Sequence, residues 1–166
     1  MTRDLYIRMT GRTRALVRRL PGGTRMLRLP TLVCACAYIT ALLALILRGD
    51  VRVLRAIIIP AVCFLAVTAL RPLIGRERPY DVFGAPPVGA YRPGKGKSMP
   101  SRHAASAAAI TFAVIYGFPY PVIIVFMLAL CALIASLRVL TGQHYPTDVL
   151  AALALSAVLS IIGYCL

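Results

Sequence analysis

PVIIVFMLALCALIASLRVLTGQHYPTDVLAALALSAVLSIIGYCL, residues Pro121 to Leu166, decides the fold. It contains two apolar runs, one ending near Leu140 and one starting after Pro146. Each is close to the ~20 residues a helix needs to cross a bilayer. A short polar turn carrying His144 lies between them. Proline suits the first turn of a helix, where no amide hydrogen is required, so Pro146 marks the start of the second run. In hydrocarbon the backbone must satisfy its own hydrogen bonds, and helices are the open-ended structures that do so.

The pattern continues upstream. Further apolar blocks run from about Pro30 to Leu47, from about Val51 to Leu70 and from about His103 to Gly117. The turn at Gly49-Asp50 separates the first two, and Pro119-Tyr120-Pro121 separates the third from the fourth. Arg52 and Arg55 are placed to snorkel at the start of the second. The expected fold is all-α, an integral membrane helical bundle of about five transmembrane helices preceded by a basic amphipathic segment. Composition agrees: 60% of the 166 residues are hydrophobic, tryptophan is absent and mean hydropathy is +0.81, a combination that soluble domains of this size rarely show.

Residues 1–29 form the basic segment, with eight arginines against one aspartate, and residues 30–166 form a single transmembrane domain. Leu5, Ile7, Leu16, Val17 and Leu20 would let the segment lie along the membrane surface. Its apolar stretches are too short for a secretory signal. A net charge of +14 would indicate nucleic acid in a soluble protein, but here much of the charge sits beside membrane spans. The expected partner is a membrane with anionic headgroups, and no nucleic acid is expected. The five cysteines fall within or at the end of apolar blocks and read as small buried hydrophobes, neither disulfide-bonded nor metal-bound.

Two crossings separate His103 from His144, so the chain returns to the face it left. The long loop from Arg71 to Arg102 leads directly into the first of those crossings. Topology therefore gathers Arg71, Arg78, Ser101, Arg102, His103, Arg138, His144 and Asp148 on one face. Phosphoryl transfer spreads negative charge over three oxygens, so fixed cations are the main help a protein can give. Arginine stays ionised and grips phosphate in a bidentate manner, which makes Arg71, Arg78 and Arg138 a cradle, with donors added by Ser101. Asp148, four residues after His144, is placed to accept the Nδ1 proton and leave Nε2 as the attacking lone pair. His103 is the candidate for protonating the leaving group and then activating water. The only carboxylates are Asp4, Asp50, Glu77, Asp81 and Asp148, so no metal and no other cofactor is expected.

Arg71 with Arg78-Pro79, then Pro100-Ser101-Arg102-His103, then Leu137-Arg138 through His144 to Asp148 resemble the tripartite signature of the type-2 phosphatidic acid phosphatase superfamily. That superfamily also includes bacterial polyprenyl-diphosphate phosphatases and the vanadium haloperoxidases. Its first motif usually opens with lysine where this chain has Arg71, and its second usually has glycine where this chain has Arg102. Arg102 must therefore point away from the phosphate or become an added ligand. The serine usual before Arg138 is displaced to Ser136. The resemblance implies a metal-independent membrane lipid phosphatase acting through a phosphohistidine. Substrates in view are phosphatidic acid, phosphatidylglycerophosphate, and polyprenyl diphosphate or monophosphate. A lipid-linked phosphotransferase using the same histidine and a non-enzymatic protein binding anionic lipid are the alternatives.

Lys95 and Lys97, with Tyr91 and Arg92, read as an ordinary solvated basic loop, and so does Arg76. The compact chain points to a prokaryotic plasma membrane. Family members usually have three spans ahead of the first motif and an outer-face site, whereas two are found here. The arginine-rich tail favours a site facing the cytoplasm.

Overall fold

The computed structural model describes residues 1–91 and 97–166, and the readings of Arg92 and Lys95 fall outside them. The elements in order are α1 (Arg3–Arg19), a 3-10 turn (Gly23–Arg28), α2 (Leu29–Leu47), α3 (Arg52–Ile74), a short α4 (Pro79–Phe83), α5 (Arg102–Gly117), α6 (Pro121–Leu140) and α7 (Pro146–Cys165). Proline opens α4, α6 and α7, where it costs no helical hydrogen bond. Gly75, at φ 62°, ends α3 in the left-handed conformation that side chains resist.

Among the described residues, four stretches are long and apolar enough to cross a membrane: Gly23–Leu47, Arg52–Phe83, Pro121–Leu140 and Pro146–Cys165. The protein is an integral membrane protein. The fifth expected span differs from the other four. With 16 residues, α5 is about 24 Å long at a rise of ~1.5 Å per residue, short of the ~30 Å hydrocarbon core. It is enclosed by α2, α3, α6 and α7. Arg102 and His103 are its only exposed residues. Its buried face includes Ala104, Ala105, Ala107, Ala108, Ala109 and Ala113, small side chains that let neighbouring helices approach closely. The outward faces of α2, α3, α6 and α7 carry Leu43, Leu54, Leu65, Val125, Leu150 and Ile161, as lipid contact requires.

Polar bonds fasten this alanine helix in place. Ser156 Oγ of α7 donates to the Ala105 carbonyl (3.1 Å), and Thr111 Oγ1 of α5 donates to the Met127 carbonyl of α6 (3.3 Å). Between α3 and α7 the approach is equally close: a Cβ on Gly163 would lie 2.8 Å from Ile59.

The basic segment is a docked helix as well as a basic one. Tyr6, Thr10 and Val17 of α1 are buried, and Arg14 lies on the same face by helical spacing. Tyr6 donates its hydroxyl to the Ala85 carbonyl (3.0 Å), with the Gly142 carbonyl at 3.4 Å, and Arg14 Nη2 donates to the Pro86 carbonyl (2.9 Å). Leu5, Ile7, Leu16 and Leu20 are exposed, as surface binding needs, but Val17 packs inward. The tyrosine hydroxyl explains the orientation, because buried backbone carbonyls seek a donor.

Candidate active site

Each predicted piece sits at a helix terminus. Arg71 occupies the last turn of α3, Arg78 precedes α4, Ser101 precedes α5, and Arg138 lies in the last turn of α6. Two backbone hydrogen bonds then fasten the pieces together. Ser101 N–H donates to the Asp148 carbonyl (3.0 Å), tying the start of α5 to the start of α7. His144 N–H donates to the Arg138 carbonyl (3.1 Å), folding the turn back on the end of α6. Gly142, at φ 74°, makes that turn, and a Cβ there would meet Tyr6 and Thr10 of α1 at 2.7 Å.

The guanidiniums divide into two groups. Arg71 is 5% exposed and spends its donors on the loop: Nη1 lies 3.5 Å from the Pro100 carbonyl and Nη2 bonds to the Lys97 carbonyl. Arg78 and Arg138 are half-buried, and their Nε atoms are buried without a hydrogen-bond partner among the described residues; Ser101 Oγ is in the same position. Arg71 feels the charges of Arg102 and Arg78, and His103 feels those of Arg138, Arg102 and Arg71. Buried unpaired donors within a cluster of repelling cations are costly, and an anion relieves both costs at once.

His144 is 3% exposed, and His103 is exposed at the start of α5. Burial holds the His144 imidazole below its ordinary value, with Asp148 opposing the shift and Arg78 and Arg71 adding to it. The expected bond from His144 Nδ1 to Asp148 is not made: the separation is 3.7 Å, too long for a hydrogen bond. The reason is that His144 lies outside α7, so the four-residue spacing does not stack it over Asp148 as it would within a helix. Asp148 is the third residue of α7, and its Oδ2 accepts the Tyr145 N–H (3.0 Å) as one half of a capping box.

Ser98, which sequence reasoning passed over, fills the gap. Its Oγ is 2.5 Å from Asp148 Oδ2 and 3.4 Å from His144 Nδ1. Arg76, expected to be a solvated loop cation, is instead an ion-pair partner of Asp148. Its Nη1 lies 2.8 Å from Oδ1 and 2.7 Å from Thr147 Oγ1, and its guanidinium stacks over the Tyr145 ring at 4.2 Å. The single legible signal for Arg76 was its place in a loop already assigned to the phosphate face; Ser98 carried none.

The sequence profile of the PAP2 superfamily matches residues 51–166, a span that holds every member of this cluster. The chain belongs to the PAP2 superfamily. Among solved structures, this PAP2 chain is similar to the first transmembrane PAP2 type phosphatidylglycerolphosphate phosphatase from Bacillus subtilis, at 19% identity and a TM-score of 0.69. That match covers 98% of this chain and 85% of the other, so the shared PAP2 fold extends through α1 and α2, beyond the profile match. No curated protein sequence matches it.

Proposed function

We propose that this PAP2 protein is a metal-independent lipid phosphatase that removes a terminal phosphate through a phosphohistidine at His144. The observation that carries the reading is the set of unpaired buried donors, Arg78 Nε, Arg138 Nε and Ser101 Oγ, among mutually repelling cations beside two histidines. In the first step the Nε2 lone pair of His144 forms a bond to phosphorus. The bond from phosphorus to the lipid oxygen breaks, its electron pair leaves on that oxygen, and His103 protonates it. Water then attacks phosphorus and gives a proton to His103. The bond from Nε2 to phosphorus breaks, releasing inorganic phosphate and restoring both rings. Arg78, Arg102 and Arg138 hold the phosphoryl oxygens, while Arg71 fixes the loop and adds positive field.

Phosphatidylglycerophosphate is the first substrate to test, given the neighbour's title, with phosphatidic acid and polyprenyl diphosphate beside it. Each places a phosphate at the membrane edge next to an apolar tail. The site is assigned to the cytoplasmic face. In support, its end of the bundle carries the eight arginines up to Arg28 with Arg71, Arg76, Arg78, Arg102 and Arg138, against Arg48, Arg52 and Arg55 at the other end.

The decisive experiment measures phosphate release from these three lipids by detergent-solubilised protein with chelator present, for wild type and His144→Ala. Release by wild type that vanishes in a folded His144→Ala protein is expected. Equal release by both would remove the phosphohistidine, and release that depends on a non-water acceptor would make the protein a transferase.

A further inference from the structure

We propose that Ser98 is a positioning residue for His144, its hydroxyl touching both the imidazole and Asp148. This rests on His144 being the nucleophile. Ser98 is 0% exposed, and the peptide unit leading into it is pinned through both of its polar groups: its N–H donates to the Arg76 carbonyl (2.8 Å), and the carbonyl of Lys97 takes Arg71 Nη2. That peptide fixes where the Ser98 side chain starts, and burial leaves its hydroxyl against Asp148 and His144.

Hydrogen-bond accounting then fixes the direction of the chain. An ionised carboxylate only accepts, and both oxygens of Asp148 are occupied, Oδ1 by Arg76 and Oδ2 by the Tyr145 N–H and Ser98. The one proton of the Ser98 hydroxyl goes to Oδ2 at 2.5 Å, which leaves oxygen lone pairs facing His144 Nδ1 at 3.4 Å. Nδ1 must then carry the ring proton, and Nε2 is left with the free lone pair that nucleophilic attack requires. Ser98 keeps its proton throughout the reaction. Asp148 acts one bond removed, orienting the hydroxyl that in turn sets the tautomer.

The chain has two histidines, so ring-nitrogen NMR on protein labelled with 15N-histidine gives two sets of signals, and a His103→Gln variant assigns them. Wild type is expected to show His144 protonated at Nδ1. Ser98→Ala should lose that single tautomer and lower kcat by roughly tenfold, the rate equivalent of one net hydrogen bond, with KM little changed. Ser98→Thr, which keeps the hydroxyl, should restore the tautomer. If Ser98→Ala does not fold, Ser98→Cys, close in volume and a far weaker hydrogen-bonding group, carries the same comparison. A wild-type ring protonated at Nε2 would overturn the proposal, as would a Ser98→Ala ring whose tautomer is unchanged, whatever happens to kcat. The tautomer is read without turnover, so failure of the phosphatase reading and failure of the Ser98 assignment are separate results.

Discussion

The two ends of the helical bundle handle charge in opposite ways. At the end formed by residues 48–55 and 118–120, the connections are short and two of the three arginines find partners nearby: Asp50 and Arg52 pair at 2.6 Å, and Arg48 lies over the Phe118 ring at 5.3 Å. At the other end, a long loop and the turn before α7 hold a cluster of arginines of which Arg78 and Arg138 keep buried unpaired nitrogens. A cation that finds a partner within its own turn is part of the structure. A cation kept half-buried beside others of its sign, with a donor unspent, is what the proposed phosphate site rests on. At that end Asp148 has both oxygens occupied, by Arg76, the Tyr145 N–H and Ser98, and makes no ion pair with Arg78 or Arg138 among the described residues.

The contrast is broken most completely by orientation. With the five native cysteines replaced, Ala90→Cys reports the charged end and Val51→Cys the quiet one. An impermeant thiol reagent added to intact cells should label Val51→Cys fully and Ala90→Cys not at all; the reverse pattern would put the site outside. Next in size, Arg138→Ala should lower kcat/KM by about 10²- to 10³-fold, the usual loss when one preorganised donor is removed. Arg52→Ala, at the quiet end, should stay within about twofold of wild type by the same assay, since an exposed ion pair contributes little. Comparable losses in both variants would erase the distinction between the ends.

The smallest effect is in pH. Because burial depresses the His144 value below its usual 6.5, the neutral nucleophile persists as pH falls through that point. The acid limb of the wild-type kcat/KM profile set by His144 should therefore lie below pH 6.5. Stability carries the same sign: the unfolded ring takes a proton that the folded ring refuses, so this contribution is lost as pH drops from 6.5 toward the folded value. An acid limb at or above 6.5 would mean that Asp148 dominates over burial.

Much of this was legible beforehand because membrane helices announce themselves. The starts of α6 and α7 at Pro121 and Pro146 follow from proline's missing donor, and the shared face of both histidines follows from counting crossings. Ser98 and Arg76 were not legible. They lie in a stretch rich in proline and glycine with no period to read, and their partner is reached only after the chain has crossed the bundle twice. The His144 to Asp148 spacing misled for a local reason: spacing within a helix predicts stacking, but here the helix begins between the two residues. Docking of α1 was hidden too, because nothing in the sequence marks the Ala85 carbonyl as an acceptor waiting for Tyr6.

The enclosure of α5 bears on how the chain is made. At 16 residues α5 is shorter than a span, six of those residues are alanine, and it starts with Arg102 and His103, so it gains less from lipid than a full-length span does. When it leaves the ribosome, two of its four neighbours, α2 and α3, are already made. Its enclosure is completed by α6 and α7, which are translated later. Closure of the bundle around α5 is thus the last step of its burial, and a nascent chain that stalls before α7 leaves this helix only partly covered.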